Sequence, residues 1–289
     1  MLEQLERLAD THHCEVGVLV VEGGAHPRAR MLTSLDHRLQ LLAETGKVHT
    51  AWVVPSTIHS DPYRDLGRAL DTVRPLSLVL LRFIQLGSPE PLSSDDFASL
   101  CAERDIELVS MGGGAADRDD SADALFSVKN ISDLLAGGHV AEAGWLLGHL
   151  FEMRGVVEQG DQRGRTLGVP TANLAVESSF LVPTEGVYVG VTIIADGSVH
   201  PTAISLGRRP TFYEDGWELL EAHLLDFDGD LYGQSVRVLF TEQLRGQRKF
   251  TSIHELKAQL HIDIAATRAL DPVCRYESSL AWSTERPPF

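Results

Sequence analysis

The sequence predicts two architectures in succession: a parallel α/β region, then an antiparallel β-barrel closed by a C-terminal helix. Three observations carry this expectation. Through residue 150, near-continuous apolar runs alternate with amphipathic helical patterns, whereas from about 153 apolar residues alternate singly and Asp-Gly pairs separate the runs. The patterned part then ends in a helical stretch behind a capping box. Parallel strands need crossover helices and are apolar on both faces, while antiparallel hairpins show period two and short turns.

In the first half, VGVLVV (16–21), AWVVP (51–55), LSLVLLRF (76–83) and IELVSM (106–111) read as strands buried on both faces. Between the first two lies SLDHRLQLLAETG (34–46), a helix with Leu35, Leu39 and Leu42 at helical spacing and Gly46 as its stop. SSDDFASLCAERD (93–105) opens on a Ser-Asp cap and puts Phe97, Leu100 and Cys101 on one face. MGGGAADRDDSAD (111–123) reads as an acidic loop, and its charge argues against a phosphate-binding role for the glycines. NISDLLAGGHVAEAGWLLGHL (130–150) reads as two short helices broken at Gly137–Gly138.

In the second half, GVYVGVTIIADGSVHPTAISLG (186–207) reads as strand, Asp-Gly turn, strand. ELLEAHLLDFDGDLYGQSVRVLF (218–240) repeats the pattern with Asp228–Gly229 as the turn. SIHELKAQLHIDIAATRAL (252–270) is an amphipathic helix opened by Ser252 and Glu255. The expected division is 1–150, 151–275 and a tail from 276 to 289 whose end is poorly ordered.

A chain of 289 residues has room for two cores. Its formal charge of −16 repels phosphate backbones, so nucleic acid is disfavoured as a partner. No apolar run reaches membrane-spanning length, and the acidic N-terminus MLEQLERLADTHH is no signal peptide. Cys14, Cys101 and Cys274 lie far apart without metal-site spacing, which points to a reducing, cytoplasmic setting.

Against this acidic background RGRTLGVPTANL (163–174) stands out. Gly160, Gly164 and Gly168 permit close backbone approach, and Arg165 offers a fork for phosphate. Thr171 and Asn173 place oxygen ligands for a hard cation on one side of an extended segment. The bland alternative is a turn entering a strand, with Thr171 and Asn173 bonded to local backbone. Glu221, with His223, lies on the face opposite Leu220, Ala222 and Leu224. It is a candidate general base toward a hydroxyl, or a solvated edge residue. In LRGQRKF (244–250), Arg245, Arg248 and Lys249 can meet an anion and Phe250 can stack on a planar ligand; a charged connector with Phe250 plugging the barrel is the alternative.

Taken in order, GVVEQGDQRGRTLGVPTANL (155–174), VPTEGVYVG (182–190), SLGRRPTF (205–212), LLEAHLLDFDGDLYG (219–233) and LRGQRKFTSIHELKAQLHIDIAATR (244–268) resemble the riboflavin kinase family. The resemblance implies a Greek-key barrel that moves the ATP γ-phosphate to the riboflavin 5′-hydroxyl, with ATP/ADP and riboflavin/FMN as small-molecule partners. It implies that Thr171 and Asn173 hold Mg²⁺ and phosphates, and that Gly160, Arg165 and Gly168 form the ATP-side loop. It also makes Glu221 the catalytic base, sets Arg245 and Phe250 in the flavin-side segment, and places Thr211 and Phe212 near the ribityl chain. Such a transfer needs alignment and charge neutralisation more than covalent chemistry.

Residues 1–150 resemble the adenylyltransferase module of bacterial bifunctional riboflavin kinase/FMN adenylyltransferases, through GAHPRARMLTSLDHRLQLLAETG (24–46) and LLAGGHVAEAGWLLGHL (134–150). They depart from it at three points. The chain starts after the expected His-x-Gly-His turn, FSVKNIS (126–132) has Ser132 where the family's arginine is expected, and MGGGAADRD replaces a Gly-Asp-Phe-x-Phe-Gly region. The expectation is a degenerate, nucleotidyltransferase-like α/β domain without FAD synthetase activity, kept as a structural element, an oligomer contact or a regulatory platform. The competing expectations are an inactive flavin- or nucleotide-binding regulator and a kinase for a flavin analogue.

Overall fold

Polar caps start most of the helices where the sequence places them. In the computed structural model, residues 2–23, 30–56, 61–81, 92–111, 127–160, 164, 167–176, 179–208 and 218–280 are described. They fall into two compact units, Met1–Asp123 and Ala124–Phe289.

In the first unit, α1 (Leu2–His12) precedes β1 (Gly17–Gly23), α2 (Leu35–Glu44) and β2 (Thr50–Ser56). These are followed by α3 (Pro62–Val73), β3 (Ser77–Leu81), α4 (Ser94–Ala102) and β4 (Glu107–Met111). β1 pairs in parallel with β2, and β3 with β4, as the apolar runs predict. Ser34 caps α2, and a reciprocal box between Ser93 and Asp96 caps α4. Phe97, Leu100 and Cys101 pack with Leu66 and Leu70 of α3 and with Ile106. Burial in this core pushes the Cys101 thiol up.

Two expectations change here. The strands are not buried on both faces, since Val53 of β2 is 39% exposed. α3 goes unread in the sequence because its apolar content is low, although Asp61 caps it and Pro62 occupies its first turn. The loop at 112–123 lies outside the described residues.

The second unit begins earlier than the expected boundary at 150. α5 (Val128–Ala136) and α6 (Val140–Leu147), separated at Gly137–Gly138 as expected, belong to it. Thr184 N, ahead of β7, donates to Leu135 O of α5 and ties the pair to the barrel.

The barrel strands are β5 (Phe151–Glu158), β6 (Ala172–Ala175), β7 (Gly186–Ile193), β8 (Val199–Arg208), β9 (Glu218–Leu224) and β10 (Ser235–Gly246). They close in the order β10-β5-β6-β9-β8-β7, with every pairing antiparallel. β7, β8 and β9 meander, and β9 returns beside β6, which is a Greek key. α7 (Ile253–Ala269) and α8 (Pro272–Ser279) follow.

Alternation holds on β9 but not on β7, which is buried along its whole length. α8 covers the end of it, where Val273 and Tyr276 pack on the cluster of Leu150, Val191, Ile193 and Leu239, and α7 also contacts β7. The tail expected from 276 therefore starts later, because Asp271 caps α8 through the backbone N–H of Cys274. Residues 281–289 lie outside the described residues.

The β9–β10 connection is also longer than a hairpin turn. It runs from 225 to 234, and its left-handed residues are Asp226 and Gly233, at φ +56° and +74°, rather than Gly229. Ser252 caps α7 by accepting from Glu255 N at 3.1 Å. The Glu255 carboxylate takes the Thr251 N–H and hydroxyl instead of the Ser252 N–H, and those bonds lower its pKa. The most buried residues of α7 are polar, Asp263 and Thr267, so its inner face is not the simple apolar stripe expected.

Candidate active site

The site is laid out by strand register. Leu174 of β6, Leu220 of β9 and Leu206 of β8 face one another across three strands and fill the barrel interior. Period two then sends their neighbours outward. Glu158 of β5 pairs with Asn173 of β6, Asn173 with Glu221 of β9, and Glu221 with Ser205 of β8. The row continues through Val187 of β7 to Arg245 of β10. Three sequence-predicted residues, Asn173, Glu221 and Arg245, from segments 24 and more positions apart, thus lie along one lateral row.

Asn173 is only 8% exposed although it faces outward. Gly160 explains this, because a Cβ there would lie 2.4–2.6 Å from the Asn173 amide atoms. Gly160 therefore serves to back Asn173 closely. Gly168 has φ +83° with nothing within 4 Å of a Cβ position, so the turn conformation sets its identity. The Asn173 Nδ2 donates to Thr171 O at 3.4 Å, so part of this amide is bonded to local backbone.

Thr171 and Asn173 line a cleft of about 430 Å³. Its other wall is the β9–β10 connection, with Phe227, Asp228, Asp230 and Tyr232. The Asp228–Gly229 pair reads as a turn in the sequence; the ten-residue interval between the strands, with three Asp and two Gly, is the signal of a loop with room to line a site. Two attachments hold the walls. His223 Nδ1 bonds Pro170 O at 2.7 Å, and Arg268 of α7 donates two bonds of 2.6 Å to Asp226. Arg268 lowers the Asp226 pKa, and burial is the chief cause that lowers that of His223.

On the far side of Glu221, the segment after β10 folds back over β8. Gln247 Nε2 donates to Leu206 O at 3.0 Å, with Ser205 Oγ at 3.5 Å. Arg245 is gripped by buried Asp263 of α7 at 2.7 and 3.1 Å, and Gln259 shares that carboxylate. Phe250 lies against two guanidiniums, 6.0 Å from Arg245 and 5.5 Å from Arg248. Arg245 is thus committed within the protein, the connector role weighed in the sequence. Arg165, Thr211 and Phe212 lie outside the described residues. Among the described residues no His, Cys, Asp and Glu group forms a ready metal cluster, and no helix is long and apolar enough to cross a membrane.

Residues 147–270 match the riboflavin kinase family model, Flavokinase. The chain is 38% identical over 143 residues to the bifunctional riboflavin kinase/FMN adenylyltransferase of Bacillus subtilis, covering 49% of this chain and 45% of that protein. It is 40% identical over 144 residues to the protein of that name from Pseudomonas fluorescens, covering 50% and 46%. The chain spans about half the length of the curated relatives it matches. Among solved structures, a macrolide-efflux protein from Streptococcus pneumoniae superposes with TM-score 0.74 and 25% identity over 92% of this chain and 88% of that one. The C-terminal half carries a riboflavin kinase domain, in agreement with the resemblance seen in its motifs.

Proposed function

We propose, from the riboflavin kinase domain at 147–270, that this chain transfers the γ-phosphoryl group of ATP to the 5′-hydroxyl of riboflavin, giving FMN and ADP. One observation carries the reading: Asn173 at the cleft and Glu221 are direct cross-strand partners. A carboxylate is thereby set beside the residues suited to polyphosphate, where a hydroxyl nucleophile would need its base.

Glu221 accepts the proton of the riboflavin hydroxyl as that oxygen attacks the γ-phosphorus, and the bond to the β–γ bridging oxygen breaks with ADP as leaving group. Thr171 and Asn173 orient the phosphates, and the 245–250 segment bounds the flavin side. The cleft donors fit a hard cation such as Mg²⁺, since Thr171, Asn173, Asp228 and Asp230 all offer oxygen. With Nδ2 turned to Thr171 O, Oδ1 is the atom of Asn173 suited to that ion. When bound with ATP, the cation neutralises phosphate charge.

FMN adenylylation is absent in this reading. Ser132, on α5, stands where the adenylyltransferase module is expected to carry an arginine, and a hydroxyl cannot replace a guanidinium toward phosphate. The test is to incubate the protein with riboflavin and MgATP, then with FMN and MgATP, and to chromatograph the flavins. FMN without FAD is the expected result. FAD above background would overturn the loss of adenylylation. Absence of FMN would favour a flavin-binding regulator or a kinase for a flavin analogue.

A further inference from the structure

The ladder between β6 and β9 ends at the pair Ala172–Ala222. The next residue outward, just ahead of β6, is Thr171, which lines the cleft, and beyond it stands Pro170. Proline has no N–H, so the ladder has no donor with which to continue there. What continues it is a side chain. His223, next to Ala222 on β9, places Nδ1 at 2.7 Å from Pro170 O. A carbonyl only accepts, so Nδ1 carries the proton and Nε2 is the acceptor nitrogen of the neutral ring. Thr171 is therefore pinned on both sides, by the last ladder pair and by the imidazole.

We propose that His223 is a positioning residue for the nucleotide: its Nδ1–H holds Pro170 and so fixes Thr171 on the cleft wall. The proposal deepens the kinase reading and rests on it. His223 itself does not line the cleft, so it acts through Thr171. The charged groups acting on it are Arg268 and Asp226. That pair ties the start of the opposite cleft wall to α7.

The test compares three substitutions in the full chain. In His223→Asn the amide nitrogen takes the place of Nδ1. In His223→Gln it reaches the place of Nε2, and His223→Phe has no donor. The readouts are the Kd for MgADP by calorimetry, the KM values for MgATP and riboflavin, kcat and Tm. His223→Asn is expected to keep MgADP affinity within about twofold, whereas His223→Gln and His223→Phe weaken it and raise the MgATP KM about tenfold, with the riboflavin KM unchanged. If His223→Phe fails to fold, the contrast between Asn and Gln decides. Equal affinity in those two variants, or wild-type affinity in a folded His223→Phe, overturns the proposal. Should the wild type make no FMN, the kinase reading fails, while the MgADP comparison still decides the role of His223.

Discussion

Asn173 and Glu221 are cross-strand partners on the outward face of β6 and β9, with Ser205 flanking Glu221 on β8. Directly opposed residues of an antiparallel pair hold their Cβ atoms roughly 5 Å apart, so a ligand atom reaching one lies within reach of the other. Glu221→Gln keeps the size and the register while removing the base. Turnover is expected to fall by about a hundredfold or more, with riboflavin affinity retained. Stopped-flow or steady-state FMN formation beside flavin-fluorescence binding would check this, and an unchanged kcat would remove Glu221 from the role.

Gly160 should tolerate no side chain. An added Cβ would meet the Asn173 amide at 2.4–2.6 Å, so Gly160→Ala must displace Asn173 or the 158–160 segment. Overpacking of this kind costs about 1–3 kcal/mol. The expected result is a lower Tm together with a raised MgATP KM. Gly168→Ala is expected to lower Tm through its left-handed φ alone, with MgATP KM little changed. Kinetics and thermal melts of the two variants side by side would separate loss of the site from loss of the turn.

The sequence makes some of this legible through short-range chemistry. The serine caps at 34, 93 and 252 and the alternation in LLEAHLL are local signals, and the helices and the face of Glu221 follow them. α3 and α8 escape because their overall apolar content is low, though both begin Asp-Pro, with Asp61 and Asp271 as caps. The register is not local. Nothing in alternation says that Asn173 faces Glu221 rather than Leu219 or His223, since that depends on how the Greek key closes. The commitment of Arg245 is hidden likewise, because its partner Asp263 sits on an α7 face that periodicity reads as apolar.

That ion pair carries a separable prediction. Asp263 is buried and accepts from Arg245 and Gln259. Asp263→Ala would leave the guanidinium without this partner and loosen the 245–250 segment. A loss on the order of 2–3 kcal/mol in chemical denaturation is expected, since hydrogen bonds to charged groups are worth about 1.5–3 kcal/mol each and Arg245 keeps some solvent access. The riboflavin KM should rise more than the MgATP KM if, as proposed, the 245–250 segment that Asp263 holds bounds the flavin side. The reverse order would place this segment elsewhere in the reaction.

The attachment of His223 to Pro170 gives the fold a pH dependence of definite sign. Burial lowers the imidazole pKa from its ordinary 6.5, Arg268 lowers it further, and the bond to Pro170 and the charge of Asp226 oppose the shift. As pH falls below 6.5, the unfolded chain binds a proton at this position before the folded one does, so stability declines toward acid. Asp226 cannot produce the same slope there, since Arg268 holds its carboxyl below the ordinary 3.8. His223→Asn removes the titration while keeping a donor to Pro170. Between about pH 7 and pH 5, the wild-type Tm is expected to fall more steeply than that of His223→Asn. The two curves should meet again above neutral pH, where the imidazole is uncharged in both states. Parallel curves across the whole range would mean that the half-buried imidazole contributes nothing to the linkage.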